Sequence, residues 1–207
     1  MVGFFDVMDR NKHSLLSRKL ESKSDHQREL LIVPILHAKE DMGSLGSHLP
    51  KEDGYVSVVS KFWQEIEERV KRYVNGFQRV KVYQDGLPNT EKKLVDRIIN
   101  EVESPNYQLL RFLKDKGAKI LGTEDPNLLR QEYTFISQIV QAEDSEDRNK
   151  KREIYGKLAE SILTKRDAYI AKRIGETLKL GDVGVLFIGA AHEIESKLPE
   201  DIQVEIL

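Results

Sequence analysis

Apolar and polar positions recur along this chain in two different patterns, which together predict a layered α/β protein. Short continuous apolar runs are typical of buried strands, whereas an apolar residue at every third or fourth position is typical of an amphipathic helix. The apolar runs predict strands at 30–36, 80–83, 118–122, 183–191 and 202–206. Because strands that alternate with helices form parallel sheets, we predict an α/β fold whose central, mostly parallel β-sheet carries helices on both faces.

The helical pattern fills the spaces between these strands. It predicts helices over 57–75, 90–102, 104–117, 125–140 and about 150–179. The charged run 141–153 is typical of a solvated turn or a helix end. We predict that residues 1–28 form an N-terminal arm or short helix and that 29–207 form a single α/β domain, in which the glycine-rich stretch 38–54 is a loop long enough to cover a site.

The most apolar run, 183–191, ends directly before His192. Such a run indicates a central strand that is covered on both faces. In parallel sheets ligands bind beyond the carboxyl ends of the strands, so His192 stands where chemistry is expected. Pro34 in the first strand is unusual, because proline cannot donate to a ladder and favours edges or bulges.

Composition excludes several function classes. The chain has 207 residues, a formal net charge of -2 and no cysteine. The charge balance gives no reason to expect a nucleic-acid partner, and the lack of cysteine excludes thiolate nucleophiles and cysteine-based zinc sites. The start of the chain lacks signal-peptide features and no apolar run reaches the ~18 residues of a membrane span, so we expect a cytoplasmic protein without membrane contact. The oligomeric state, a homo-oligomer included, stays open.

Polar residues follow four of the predicted strands. His37, Asp85, Glu124 and His192 would lie at one edge of a parallel sheet. Imidazoles and carboxylates together suit hydrolysis of a small-molecule or peptide substrate, either with histidine as general base or with a metal held by histidine and carboxylate. We predict catalytic roles for His37, His192 and Asp85, and a candidate divalent metal site of His37, His192 and Glu124. The alternative is that loops at strand ends are simply polar.

Two further residues complete the predicted site. Arg166 lies on or beside the buried stripe of the long helix, and a buried arginine needs a partner. It could pair with Asp85 or Glu124, bind an anionic substrate group, or extend from the edge of the stripe to solvent or to a surface acid. Gly189 opens a turn whose backbone amides could cradle an oxyanion or phosphate, which makes it the candidate cofactor-binding residue. The chain has no Gly-x-Gly-x-x-Gly, Gly-Lys-Ser/Thr or Gly-x-Ser-x-Gly motif.

Two of these segments match motifs of a known superfamily. Gly189-Ala190-Ala191-His192 after an apolar strand resembles the Gly-x-x-His motif of the superfamily that contains erythromycin esterase-like, TraB/Tiki-type and haem-binding ChaN-like proteins. The segment 166–171 (Arg-Asp-Ala-Tyr-Ile-Ala) resembles the Arg-Asp/Asn-x-x-Met-Ala stretch that precedes the motif there. Pro34-Ile35-Leu36-His37 stands where the superfamily places its first Gly-x-x-His, and 80–86 stands where a strand ending in glutamate is expected.

The resemblance covers residues 30–207 and implies an erythromycin esterase-like or ChaN-like layered fold. Its members include esterases, proposed metal-dependent proteases and haem binders. This chain departs from the pattern where Pro34 replaces glycine and where Gln84-Asp85 replaces the glutamate. We therefore expect a hydrolase-like protein, with metal-assisted ester or peptide hydrolysis as one route. The alternative is a protein that kept the fold, lost catalysis and binds a small molecule or haem. A third possibility is an interaction role for the charged helices.

Overall fold

The computed structural model describes residues 28–35, 55–74 and 77–207, with the backbone alone for 55–57. Three of the predictions lie outside the described residues. They are the predicted arm at residues 1–28 except for Arg28, which begins the first strand, the loop at 38–54 and the candidate site residue His37.

The described residues form one five-stranded sheet in which every pairing is parallel. Its strands are β1 (Arg28–Ile35), β2 (Val80–Gln84), β3 (Lys119–Leu121), β4 (Val183–Gly189) and β5 (Ile202–Ile206), in the order β3-β2-β4-β1-β5. The carboxyl ends of all five therefore lie at one edge, which we call the carboxyl edge. The predicted central position of the strand that precedes His192 is confirmed, and the last strand, β5, lies at one side of the sheet.

The central strand β4 is buried on both faces, as its continuous apolar sequence predicts. Val185 and Phe187 face one layer of helices, and Leu186 and Ile188 face the other. The strand ends at Gly189, two residues before the predicted end, because the chain turns there and the His192 amide donates to the Gly189 carbonyl at 3.1 Å. The turn brings His192 back over the carboxyl edge.

The described residues form five α-helices, which cover both faces of the sheet. They are α1 (Tyr55–Tyr73), α2 (Lys92–Glu101), α3 (Pro105–Asp115), α4 (Pro126–Val140) and α5 (Ser145–Thr177). Apolar residues of α1, α2 and α3 pack on one face, and the C-terminal half of α5 packs on the other. We call these the α1–α3 face and the α5 face. The predicted α/β architecture with helices on both faces is confirmed.

Helix α5 begins at Ser145, inside the charged run in which we predicted a solvated turn or a helix end. The Asp144 side chain caps it by accepting from the Asp147 amide at 2.8 Å. Pairs one turn apart, such as Glu146 with Lys150 and Asp147 with Lys151, then stabilise the exposed first turns. Local charge pairing thus extends the helix beyond its apolar stripe.

Pro34 lies inside a strand with neighbours on both sides, and the sheet accommodates it. The Ile32 carbonyl accepts from the Leu207 amide on the β5 side at 2.9 Å. Because backbone groups alternate sides along a strand, Pro34 faces the same side two residues later, beyond the last pairing of β1 with β5 at Ile32–Ile206. Its missing N–H coincides with the end of this pairing, since the next bond would run from residue 34 to the Leu207 carbonyl.

Candidate functional site

Residues from three strand ends and from α5 meet at the carboxyl edge on the α5 face. Asp85 directly follows β2, Glu124 follows β3 and His192 follows β4, while Arg166 comes from α5. Asp85, Glu124 and Arg166 are all buried as residues. The structure thus brings together four of the five predicted histidine, carboxylate and arginine residues, and His37 lies outside the described residues.

Arg166 is the centre of a carboxylate cluster. Its Nε donates to Glu124 Oε2 at 2.6 Å, and its Nη2 donates to Glu124 Oε1 at 2.6 Å and to Asp85 Oδ1 at 2.8 Å. Its Nη1 donates to Glu132 Oε2 of α4 at 2.6 Å. Among the alternatives for Arg166, the pairing with both Asp85 and Glu124 is the one the structure adopts. Glu132 was not predicted.

Burial and the contacts within the cluster shift the pKa values of Arg166 and Glu124. Burial works against the positive charge of Arg166, but its hydrogen bonds to Glu124 and the charges of Glu124, Asp85 and Glu132 raise its pKa above the ordinary value. Burial raises the pKa of Glu124, and the nearby Asp85 charge adds to this, although hydrogen bonds from Arg166 oppose it. Arg166 therefore stays protonated, while Glu124 holds its proton to a higher pH than an exposed glutamate does.

Glu132 extends this network toward the start of α5. The Tyr155 hydroxyl donates to Glu132 Oε1 at 2.8 Å, and the ring of Tyr155 lies 6.0 Å from that of Phe135. Burial raises the pKa of Tyr155 to about 12, and the hydrogen bond to Glu132 adds to the shift. Because Glu132 also accepts from Arg166, α4 is fastened to the cluster through one carboxylate.

His192 is held between two carboxylates. Its Nδ1 lies 2.5 Å from Asp167 Oδ1, and its Nε2 lies 3.6 Å from Asp85 Oδ2. The other oxygen of Asp167 accepts from the Glu193 amide at 3.0 Å, and Lys197 Nζ lies 3.5 Å from it. An ionised carboxylate only accepts hydrogen bonds, so Nδ1 carries a proton and Nε2 is the nitrogen that can take another.

Asp167 was missed as a site residue. The apolar stripe of α5 identifies its neighbour Arg166, which lies on or beside that stripe. Asp167 follows one residue later and is therefore not identified by the same pattern. Both are buried, Asp167 at 2 % exposure. The available signal was the superfamily stretch that begins with arginine followed by aspartate or asparagine, which contains both residues.

The Asp85 side chain extends the ladder between β2 and β4 beyond the end of β2. Its amide donates to the Phe187 carbonyl at 2.9 Å, in regular ladder fashion. The next rung would join the Gly189 amide to the Asp85 carbonyl, but that amide instead donates to Asp85 Oδ2 at 2.9 Å. The chain can therefore turn at Gly86, whose φ of 76° suits glycine.

This rung also bears on Gly189 as the predicted cofactor-binding residue. The Gly189 amide is engaged by Asp85, so an anion that used it would have to displace the carboxylate. The cradle therefore stays a prediction.

The described members of the predicted metal set do not fit a cation. In the described part of the chain, no group of three or more His, Asp or Glu side chains is arranged to hold a metal ion. Both oxygens of Glu124 already accept from Arg166, and Oε1 also accepts from the Gly86 amide at 2.8 Å. A metal ion there would face the guanidinium of Arg166. The third member, His37, lies outside the described residues.

Comparisons with known proteins add no relative. No protein-family model, no curated protein and no solved structure matches this chain. The superfamily resemblance therefore stands on its short motifs.

None of the helices in the described part of the chain has both the length and the apolar character that crossing a membrane requires.

Proposed function

We propose that this protein is a hydrolase in which His192, oriented by Asp167, is the general base. The bond cleaved would be an ester or peptide bond of a small-molecule or peptide substrate. The observation that carries the proposal is the 2.5 Å contact between His192 Nδ1 and Asp167 Oδ1 at the carboxyl end of the central strand. The superfamily resemblance, whose members include esterases, supports it independently.

The contact with Asp167 supports the proposal because it provides the orienting group that general-base catalysis by histidine uses. A carboxylate that accepts from one ring nitrogen fixes the tautomer and orientation of the imidazole, so the other nitrogen is free to accept a proton. Here Nε2 takes a proton from water while the water oxygen forms a bond to the substrate carbonyl carbon. The C–O or C–N bond then breaks, and the leaving group takes the proton.

Asp85 and Arg166 support this step as positioning residues. When His192 takes a proton, Nε2 acquires a positive charge 3.6 Å from Asp85 Oδ2, and Asp85 stabilises it. Arg166 holds Asp85 in place through Oδ1, and the Gly189 amide holds Oδ2. Arg166 also balances part of the negative charge that Asp85 and Glu124 bring to the buried cluster.

The test is hydrolysis of a panel of p-nitrophenyl esters and fluorogenic peptides by the purified protein, with and without a chelator. His192→Ala and Asp167→Asn should each reduce kcat/KM roughly 100-fold or more, which is the range for loss of a general base or its orienting group. Glu195→Gln, an exposed neighbour in sequence, is the matched control and should leave the rate unchanged. Equal rates for wild type and His192→Ala, with folding checked by circular dichroism, would refute the proposal.

A non-catalytic binding role is the second candidate, and burial favours it. The side chain of His192 is only 4 % exposed and its Nε2 already faces Asp85, so the ring would need access before it could act on substrate. Titration with haemin, monitored by absorbance at the Soret band, tests this binding role directly. Saturable binding lost in His192→Ala, with no hydrolysis of any substrate on the panel, would favour a ligand carrier.

A further inference from the structure

The edge strand β3 borders a groove on the opposite side of the sheet from β5. In the described part of the sheet, β3 pairs with β2 alone. A groove of about 540 Å³ runs along its free side, and residues of α2, α3 and α5 contribute to its walls. This groove is separate from the His192 site, since none of the site residues described above lines it.

The backbone of β3 offers hydrogen-bonding groups to this groove. The Gln84 amide donates to Thr123 Oγ1 at 2.9 Å, which shows that even-numbered residues of β2 face β3. Val82 therefore faces β3 and bonds to the residues that flank its register partner, Ile120. The N–H and C=O of Ile120 then point away from β2, into the groove. Neither group has a partner among the described residues, whereas the Ala118 amide on the same side donates to the Leu113 carbonyl at 3.0 Å and the Gly122 carbonyl accepts from Arg173. Ile120 is therefore the open position of this edge.

The groove is strongly positive. Four cations line it, Lys92, Lys114, Lys119 and Arg173, against the single carboxylate of Asp96. Lys92 and Lys114 both pair with that carboxylate, at 2.5 and 2.8 Å, so the set carries a net charge of about +3, four minus one. This local excess stands out on a chain whose formal net charge is -2.

The cations flank the open edge on both faces of the sheet. Ile120 packs with the α1–α3 face and Leu121 with the α5 face. Lys92 and Lys114 belong to α2 and α3, whereas Arg173 belongs to α5, where its Nε donates to the Gly122 carbonyl at 3.1 Å. Side chains of an added strand would point alternately to the two faces, and both carry positive charge.

We propose that the free edge of β3 binds an acidic peptide in an extended conformation, which adds to the sheet as a sixth strand. Backbone hydrogen bonds to Ile120 hold the peptide, and the flanking cations select acidic side chains, as in other cases of strand addition. A second copy of this chain is the poorer occupant, because two such edges would meet with like charges. A nucleic acid could supply negative charge but no strand.

The test uses a fluorescein-labelled octapeptide of alternating Glu and Val, with an octapeptide of alternating Lys and Val as the charge control. Fluorescence anisotropy measures the affinity, and amide hydrogen exchange measures protection of the Ile120 N–H. The acidic peptide should bind at least about tenfold more tightly than the basic one, and more weakly at about 500 mM than at about 50 mM NaCl. It should also protect the Ile120 amide at least about tenfold.

Lys119→Glu is the matched variant at the groove. Lys119 is exposed on β3, so the change reverses one wall charge without removing packing. It should weaken the acidic peptide at least about tenfold, whereas Lys150→Glu, the same change far away on exposed α5, should have little effect. Because neither residue is buried, both variants should fold, and circular dichroism checks this.

Four binding results would overturn the proposal. They are equal binding of acidic and basic peptides, no effect of Lys119→Glu, binding without protection of Ile120, and tighter binding of a twelve-residue oligothymidylate at the same groove. Sedimentation velocity provides the last check. Dimerisation of the free protein that is lost in Lys119→Glu would assign the edge to a second copy instead.

Discussion

The two faces of the sheet bury polar groups in opposite ways, and neighbouring residues show the contrast. Asp85 lies on the α5 face, where its carboxylate accepts from Arg166 and from the Gly189 amide. Gln84, one residue earlier, points to the α1–α3 face, and its buried Oε1 has no hydrogen-bond partner in the part of the chain that the structure describes. On that face neither side-chain polar atom of Asn106 in α3 has a partner among the described residues.

The difference shows which buried polar groups are fully satisfied. Arg166 makes four hydrogen bonds to three carboxylates, so the charged groups of the α5 face hold one another in place. An unsatisfied buried polar group costs about 1–3 kcal/mol, and removing one partner of a buried ion pair costs more. We therefore expect the charged cluster around Arg166 on the α5 face to be indispensable for folding. The buried amides of Gln84 and Asn106 on the α1–α3 face should be replaceable.

The largest effect is expected from Arg166→Leu. The substitution leaves Glu124 and Asp85 buried without their cation, and breaking a buried pair in this way lowers the free energy of unfolding by about 3–5 kcal/mol. Urea denaturation measures the change. Arg166→Leu combined with Glu124→Gln should recover part of the loss, because the second change removes one uncompensated carboxylate. A loss under about 1 kcal/mol in the single variant would show that the cluster does not stabilise the fold.

Asn106→Leu should have a smaller effect of the opposite sign. Leucine has a similar size and removes two buried polar atoms that lack partners, so the free energy of unfolding should rise by about 1–2 kcal/mol. The same urea experiment measures it. A loss of stability of about 1 kcal/mol or more would contradict the contrast between the faces, because it would mean that the amide has a partner such as an ordered water.

The smallest effect is a pH dependence that Glu124 alone should produce. Because its pKa is raised above 4.5 in the folded protein, folding takes up a proton as the pH rises above that value. The unfolded state binds fewer protons there, so the free energy of unfolding should fall with rising pH until the folded pKa is passed. Above that pKa the loss is complete.

Urea titrations of wild type and Glu124→Gln between pH 4.5 and about pH 8 isolate this contribution. Through this window the free energy of unfolding of wild type should fall relative to that of the variant, because the variant lacks the falling slope. Glu160→Gln, an exposed change on α5, should keep the wild-type slope. A rising slope assigned to Glu124 would mean that its pKa is lowered, with Arg166 outweighing burial.

The sequence predicts the layers and much of the cluster because both follow from local patterns. Continuous apolar runs identify parallel strands, and parallel strands place Asp85, Glu124 and His192 at one edge. Arg166 is found because it interrupts a helical apolar stripe and must be paired. These inferences depend only on periodicity and on the direction of the strands.

The contacts that the sequence does not predict depend on how elements pack. Asp167 meets His192 because the chain turns directly after Gly189, which periodicity placed two residues too late. Glu132 reaches Arg166 because α4 lies along α5, and no local signal fixes how two helices align. The early start of α5 comes from charge pairs one turn apart, such as Glu146–Lys150, which a composition-based interpretation treats as a solvated turn.

The rung between Asp85 and Gly189 makes the carboxyl edge observable without any substrate. An amide proton shared with a carboxylate resonates at a frequency that follows the charge and position of that carboxylate. The Gly189 signal in a nitrogen–proton correlation spectrum should therefore move whenever a ligand, a proton or a mutation disturbs Asp85. The chemical shift of this one amide could then be used to screen compounds against the site before its reaction is identified.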